Sequence, residues 1–133
     1  MALNLPILIV DDEPIVRESI RDWLKEIGYN VLTAETGEEA LETLSQHEVG
    51  VVILDIRLPG RTGISVLKEI REKKPLIQTI IITAYPSSEL TAEALKLGAL
   101  DYLIKPIIPD DLERLVRDAV HKIEVSKGGV HER

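Results

Sequence analysis

Asp11–Asp12, Asp55, Thr83 and Lys105 each stand at, or just beyond, the end of a short strand-like run. PILIV precedes the acidic pair, VVIL precedes Asp55, TIII leads to Thr83, and DYLI precedes Lys105. Three carboxylates crowded together repel one another, and each raises the others' pKa values. A divalent cation removes that conflict. Oxygen ligands that leave positions for water and phosphate favour Mg²⁺. A carboxylate neutralised in this way and facing a basic residue can attack a phosphoryl donor to give an aspartyl phosphate. Such a transfer depends on in-line positioning and charge stabilisation, which Mg²⁺ and Lys105 could supply. Thr83 offers a hydroxyl able to reach a phosphoryl oxygen only once that group is present.

These residues meet only if the runs are neighbouring strands. Strand-like and helix-like segments alternate along the chain, without a repeat or low-complexity linker. Pro6–Val10 reads as a strand. Residues 14–27 have helical spacing, with Val16, Ile20, Trp23, Leu24 and Ile27 on one face, Pro14 in the first turn and Gly28 at the stop. Asn30–Ala34 is a second strand. Thr36 and Glu39 form a capping-box pattern for a helix over 37–46. Val49–Asp55 is a third strand, and Thr62 is placed to cap a helix through Lys74, where Pro75 blocks continuation. Gln78–Thr83 is a fourth strand. Ser87 or Ser88 starts a helix to about Leu97, and Gly98 ends it. Asp101–Ile104 is a short fifth strand, followed by a helix over Pro109–Ser126.

Five strand–helix units in series predict an α/β fold with a parallel sheet covered on both faces. Strands buried on both sides should be unbroken apolar runs, as VVIL and TIII are. Right-handed crossovers leave few topologies. The flavodoxin-like order 2-1-3-4-5 suits five units and gathers functional groups beyond the carboxyl ends of the strands.

A chain of 133 residues fits one domain. We expect that domain over residues 1–126, with 127–133 a polar, flexible tail. Phe is absent, so Ile, Leu, Val and Ala must build the core, and the lack of Cys excludes disulfides and thiolate metal sites. The net charge of −7 disfavours direct binding of nucleic acid. The start lacks the pattern of a signal peptide, and the apolar runs are too short to span a bilayer, so a cytoplasmic location is expected. His47, His121 and His131 show no metal spacing.

Asp11–Asp12, Asp55 in DIRLPG, Thr83–Ala84 and Lys105–Pro106 resemble the signature of response-regulator receiver domains of two-component signalling. The resemblance covers residues 5–125. It implies that Asp55 is the phosphoacceptor, and that Asp12, Asp55 and the backbone carbonyl of Arg57 ligate Mg²⁺, with Asp11 acting largely through water. Lys105 would pair with Asp55 or its phosphate. Thr83 and Tyr102 would be a switch pair, Ala84 would leave room for the phosphate, and the Lys105–Pro106 bond would be cis. The donor would be a sensor histidine kinase or phosphotransfer protein. A homodimer through the fourth helix, fifth strand and fifth helix is a family expectation. The stretch TAYPSSELTAEALKLGALDYLIKP looks most like receivers of nitrogen-regulation-type transcriptional activators.

Three further features matter. Ile107–Ile108 replaces the Phe and Ser or Asp of many relatives; Ile108 is a poor N-cap, so the last helix must rely on Pro109 and the acidic Asp110–Asp111. Arg57 and Tyr85 both stand where they could overhang the acceptor. Taken singly, Asp11–Asp12 before Pro14 would be helix-capping acids, Thr83 strand filler, Lys105–Pro106 a turn and Tyr102 a static ring. The set outweighs those readings. Pro59–Gly60 and Gly63 are expected to shape the loop after Asp55. A Mg²⁺-dependent phosphatase with an Asp nucleophile is the enzymatic alternative. It generally needs a second acid two residues on, where this chain has Arg57. A receiver-like module that never takes phosphate is the third reading.

Overall fold

The computed structural model describes residues 4–128. Five parallel strands form one sheet in the order β2-β1-β3-β4-β5. They are β1 (Ile7–Val10), β2 (Val31–Ala34), β3 (Val51–Asp55), β4 (Gln78–Thr83) and β5 (Asp101–Ile104). The helices α1 (Pro14–Ile27), α2 (Gly37–Gln46), α3 (Gly63–Lys73), α4 (Glu89–Lys96) and α5 (Pro109–Gly128) follow them in turn. This is the expected α/β, flavodoxin-like arrangement.

The unbroken apolar strands are buried on both faces. Leu8, Val10, Val52, Leu54 and Ile81 point into one core with Ala40, Val66, Leu67 and Ala94 from α2, α3 and α4. Ile7, Ile9, Ile53, Ile80 and Ile82 point into the other, with Ile20 and Leu24 of α1 and Leu115, Val116 and Ala119 of α5. With no Phe to fill space, branched aliphatic side chains do so, in keeping with their preference for pleated surfaces.

The helix ends follow local chemistry. Gly28 adopts φ +117° and its N–H bonds the carbonyls of Leu24 and Lys25, ending α1 in the left-handed turn that glycine favours. Thr36, Thr62 and Ser88 each accept a bond from the N–H three residues on, capping α2, α3 and α4. The capping box at α2 is shifted by one residue: Glu39 Oε1 accepts the N–H of Glu35, not that of Thr36. β3 begins at Val51, two residues after the expected start, although Gly50 still bonds Pro6 and Gln78 through its backbone.

α5 starts without a capping side chain at Ile108; the Leu112 N–H bonds the Ile108 carbonyl, and Asp110 and Asp111 lie in the first turn. The helix extends to Gly128, past the point where the tail was expected, and residues 129–133 lie outside the described ones, His131 among them. His47 and His121 are exposed. Among the described residues no helix is long and apolar enough to cross a membrane.

Candidate functional site

Strand register decides which groups meet. Val10 lies level with Leu54, so Asp11 follows beside Asp55; Asp55 is level with Ile82, and Thr83 is level with Ile104. Asp11, Asp55, Thr83 and Lys105 therefore stand together at the carboxyl edge of the sheet. Side chains alternate between faces along a strand. Asp55 continues the phase of Ile53, toward α1 and α5, whereas Thr83 continues that of Ile81, toward α4. Backbone bonds extend the ladder into the site: Asp11 N–H to Ala34, Ile56 N–H to Ile82, and Lys105 N–H to Thr83 at 2.8 Å.

Carboxylate oxygens of Asp11, Asp12 and Asp55 lie within 4.8 Å of one another. Asp11 is fully buried and Asp55 nearly so, while Asp12 is exposed. Asp11 Oδ1 accepts the Glu13 N–H at 2.8 Å, and Asp55 Oδ1 accepts the Arg57 N–H at 3.0 Å. Lys105 Nζ donates to Asp55 Oδ2 at 3.0 Å and to Glu13 Oε1 at 2.8 Å. Asp11 Oδ2 is also 3.0 Å from Nζ, but off the hydrogen-bonding direction, so that buried oxygen accepts no hydrogen bond.

Burial pushes the Asp11 carboxyl above its ordinary pKa, and the neighbouring Asp55 adds to the rise; the Glu13 N–H and Lys105 oppose it. Burial would lower Lys105, but its hydrogen bonds to Glu13 and Asp55 and the close Asp11 carboxylate outweigh that and hold the ammonium well above the usual lysine value. Lys105 is therefore charged at neutral pH. An all-oxygen cluster with a buried oxygen lacking a hydrogen-bond donor fits a hard divalent cation such as Mg²⁺.

Thr83 is buried, and its Oγ1 accepts the Tyr85 N–H at 2.9 Å. Tyr102 is half-buried against the core beneath α4, the face toward which Thr83 also points. Ala84 is exposed beside Thr83, and the Lys105–Pro106 bond is cis. Arg57 and Tyr85 pack together, with the guanidinium carbon 4.8 Å from the ring centroid and the Tyr85 ring more than half exposed. Gly60 takes φ +81° in the loop after Asp55, and Gly63 packs directly on the backbone of Asp55 and Ile56.

A response regulator receiver domain model matches residues 7–117. The chain belongs to that family. It is 40% identical over 134 aligned residues to the transcriptional regulatory protein ZraR of Escherichia coli K12, covering 96% of this chain and 30% of that protein. The receiver thus spans under a third of that relative's length. A CheY-like receiver domain protein from Methanospirillum hungatei superposes with TM-score 0.88 at 30% identity, over 93% of this chain and 99% of that one. NtrX from Brucella abortus superposes with TM-score 0.91 at 27% identity, over 98% of this chain and 30% of that one. These relatives agree with the resemblance to receivers of nitrogen-regulation-type activators.

Two residues at the receiver's site escaped the reading of the sequence. Glu13 contributes a fourth carboxylate, and Arg17 Nη1 donates to the Asp11 carbonyl at 2.8 Å. Their spacing, one helical turn apart and directly after the acidic pair, was the available signal.

Proposed function

We propose that this receiver domain accepts a phosphoryl group on Asp55 from a phosphohistidine of a sensor kinase or phosphotransfer protein, and switches conformation in response. The observation that carries this reading is the Asp55 carboxylate held at the end of β3 by the Lys105 ammonium, beside two further carboxylates. An Asp55 oxygen attacks phosphorus as the P–N bond breaks, and the imidazole leaves with the bonding electrons. Lys105 orients Asp55 beforehand and then faces the new phosphoryl oxygens, so charge stabilisation is built in before reaction. Asp12, Asp55 and the Arg57 carbonyl would hold Mg²⁺, with Asp11 acting largely through water. When bound, the ion supplies positive charge against the carboxylates and the incoming phosphoryl oxygens.

The switch begins at Thr83. Its Oγ1 accepts the Tyr85 N–H, so a rotation that carried the hydroxyl towards the phosphate would break that bond. The Tyr85 carbonyl in turn accepts the Ser88 N–H at 3.1 Å and the buried Thr91 Oγ1 at 3.2 Å, so the β4–α4 loop is fastened to the start of α4. Tyr102, on the same face, would turn inward behind Thr83. Phosphorylation shifts this equilibrium only as far as the phosphate interacts differently with the two states.

The chain catalyses only its own phosphorylation and dephosphorylation. It acts in the cytoplasm, binds no nucleic acid directly, and controls an output domain or partner, with homodimerisation through α4, β5 and α5 as one route. The reading is tested by incubating the protein with Mg²⁺ and either acetyl phosphate or sugar phosphates. We expect one labile phosphate per chain; repeated turnover of sugar phosphates would make the protein an enzyme instead.

Arg57 follows the acceptor by two residues and stacks on Tyr85, and the pair would restrict water at Asp55. Tyr85→Ala should therefore lose its phosphate several-fold faster than wild type, followed by decay of the phosphorylated mass after donor removal. Equal or slower decay would refute that role.

A further inference from the structure

Glu13 is the N-cap residue of α1, yet its side chain makes no capping bond. Its backbone N–H is committed to Asp11 Oδ1, and its carboxylate reaches across the sheet edge to Lys105 Nζ at 2.8 Å. That contact is shorter than the 3.0 Å contacts Nζ makes to Asp55 and Asp11. We infer that Glu13 is a positioning residue that holds Lys105 in the unphosphorylated receiver and competes with the phosphoryl group for its ammonium.

Donor supply at Lys105 is limited. An ammonium has three N–H donors. Two are given to Glu13 and Asp55, and the third side of Nζ faces Asp11. The phosphoryl oxygens, which carry the negative charge that the Asp55 carboxylate gives up on phosphorylation, compete with Glu13 and Asp11 for Nζ. Asp11 is buried and keeps its place. Glu13 is the one whose side chain is mostly exposed, 58% against 0% and 6% for Asp11 and Asp55. It can be rehydrated at little cost and is the partner that gives way. Its negative charge also stands at the mouth of the site and opposes an anionic donor. This rests on the proposed phosphoacceptor reading and adds to it a residue that sets the balance between free and phosphorylated states.

Exposed ion pairs are weak, so the expected effect is modest: roughly two- to five-fold. The test uses beryllofluoride, a phosphoryl analogue, titrated calorimetrically into the intact protein with Mg²⁺ present. Glu13→Gln should bind it about two- to five-fold more tightly than wild type. Glu18→Gln, which removes an exposed charge on α1 that forms no ion pair with Lys105, should match wild type. Unchanged or weaker binding by Glu13→Gln, or equal tightening by Glu18→Gln, overturns the inference. A second readout separates positioning from bulk charge. The ¹⁵N resonance of the Lys105 ammonium should differ between wild type and Glu13→Gln when free, and coincide once beryllofluoride is bound. A difference that persists in the bound forms contradicts release of Glu13. Failure of wild type to bind beryllofluoride at all would instead overturn the phosphoacceptor reading itself.

Discussion

Lys105→Met should slow phosphorylation of Asp55 by acetyl phosphate by about 10²–10³-fold, the usual cost of removing one preorganised charge-stabilising donor. The same substitution should destabilise the metal-free protein by about 3–5 kcal/mol, because it strips the cation from carboxylates that remain buried. The Lys105 side chain is only 15% exposed and Asp11 not at all, so water cannot replace what is lost. Against a typical total of about 5–15 kcal/mol, this is a large fraction of the fold's stability. Mg²⁺ binding to the cluster should recover part of that stability without recovering the rate, since a cation among the acids does not replace the ammonium facing the phosphoryl oxygens. Denaturant titrations with and without Mg²⁺, paired with rates by intact mass, check both halves. A rate within a few-fold of wild type would remove Lys105 from the mechanism.

Gly63→Ala should damage the site from behind. A Cβ at Gly63 would lie 2.5 Å from the Asp55 carbonyl oxygen and 2.7 Å from the Ile56 Cα, and backbone at the end of a central strand cannot step aside. The requirement here is space, since Gly63 does not have a positive φ. Replacing a helical glycine by alanine gains up to about 1 kcal/mol in propensity, but overpacking costs about 1–3 kcal/mol, so net destabilisation is expected. The relief available is a shift of the α3 start away from β3, which breaks the 2.9 Å bond from the Gly63 N–H to the Ile56 carbonyl and drags the loop around Asp55. A displacement of about 1 Å at a reacting group can cost about 10²-fold in rate. Loss of stability together with a phosphorylation rate reduced at least ten-fold is the expected pair; wild-type behaviour in both would contradict the close packing.

The strands were legible because a doubly covered parallel sheet demands continuous apolar runs, and Val-Val-Ile-Leu and Thr-Ile-Ile-Ile meet that demand locally; their order is not written in those runs and came only from the topology that suits five strand–helix units. Helix starts were legible because Thr36, Thr62 and Ser88 cap through bonds spanning only three residues. The meeting of Asp11, Asp55 and Lys105 followed from their positions at strand ends once the strand order was right. What escaped depends on side-chain reach. Glu13 directly follows the acidic pair, which marks it as near the site, but its contact with Lys105, 92 residues away, is created only by the assembled sheet edge. Arg57 on Tyr85 is similar: both could be placed over the site, but their mutual packing depends on two loops converging. Arg61 illustrates the same limit, linking Glu38 at the start of α2 to Glu69 within α3. The shifted capping box at Glu35 shows that even a local motif fixes its partner only to within a residue, because the chain entering α2 is shaped by its neighbours.

The most direct measurement locates the phosphoryl group. Protein treated with acetyl phosphate and Mg²⁺ is reduced with borohydride, which converts an aspartyl phosphate into homoserine, and the peptides are sequenced by mass spectrometry. Homoserine at residue 55, and none in an Asp55→Asn variant treated alike, is the predicted result. Modification at another residue, or an intact protein that remains unmodified, would contradict it.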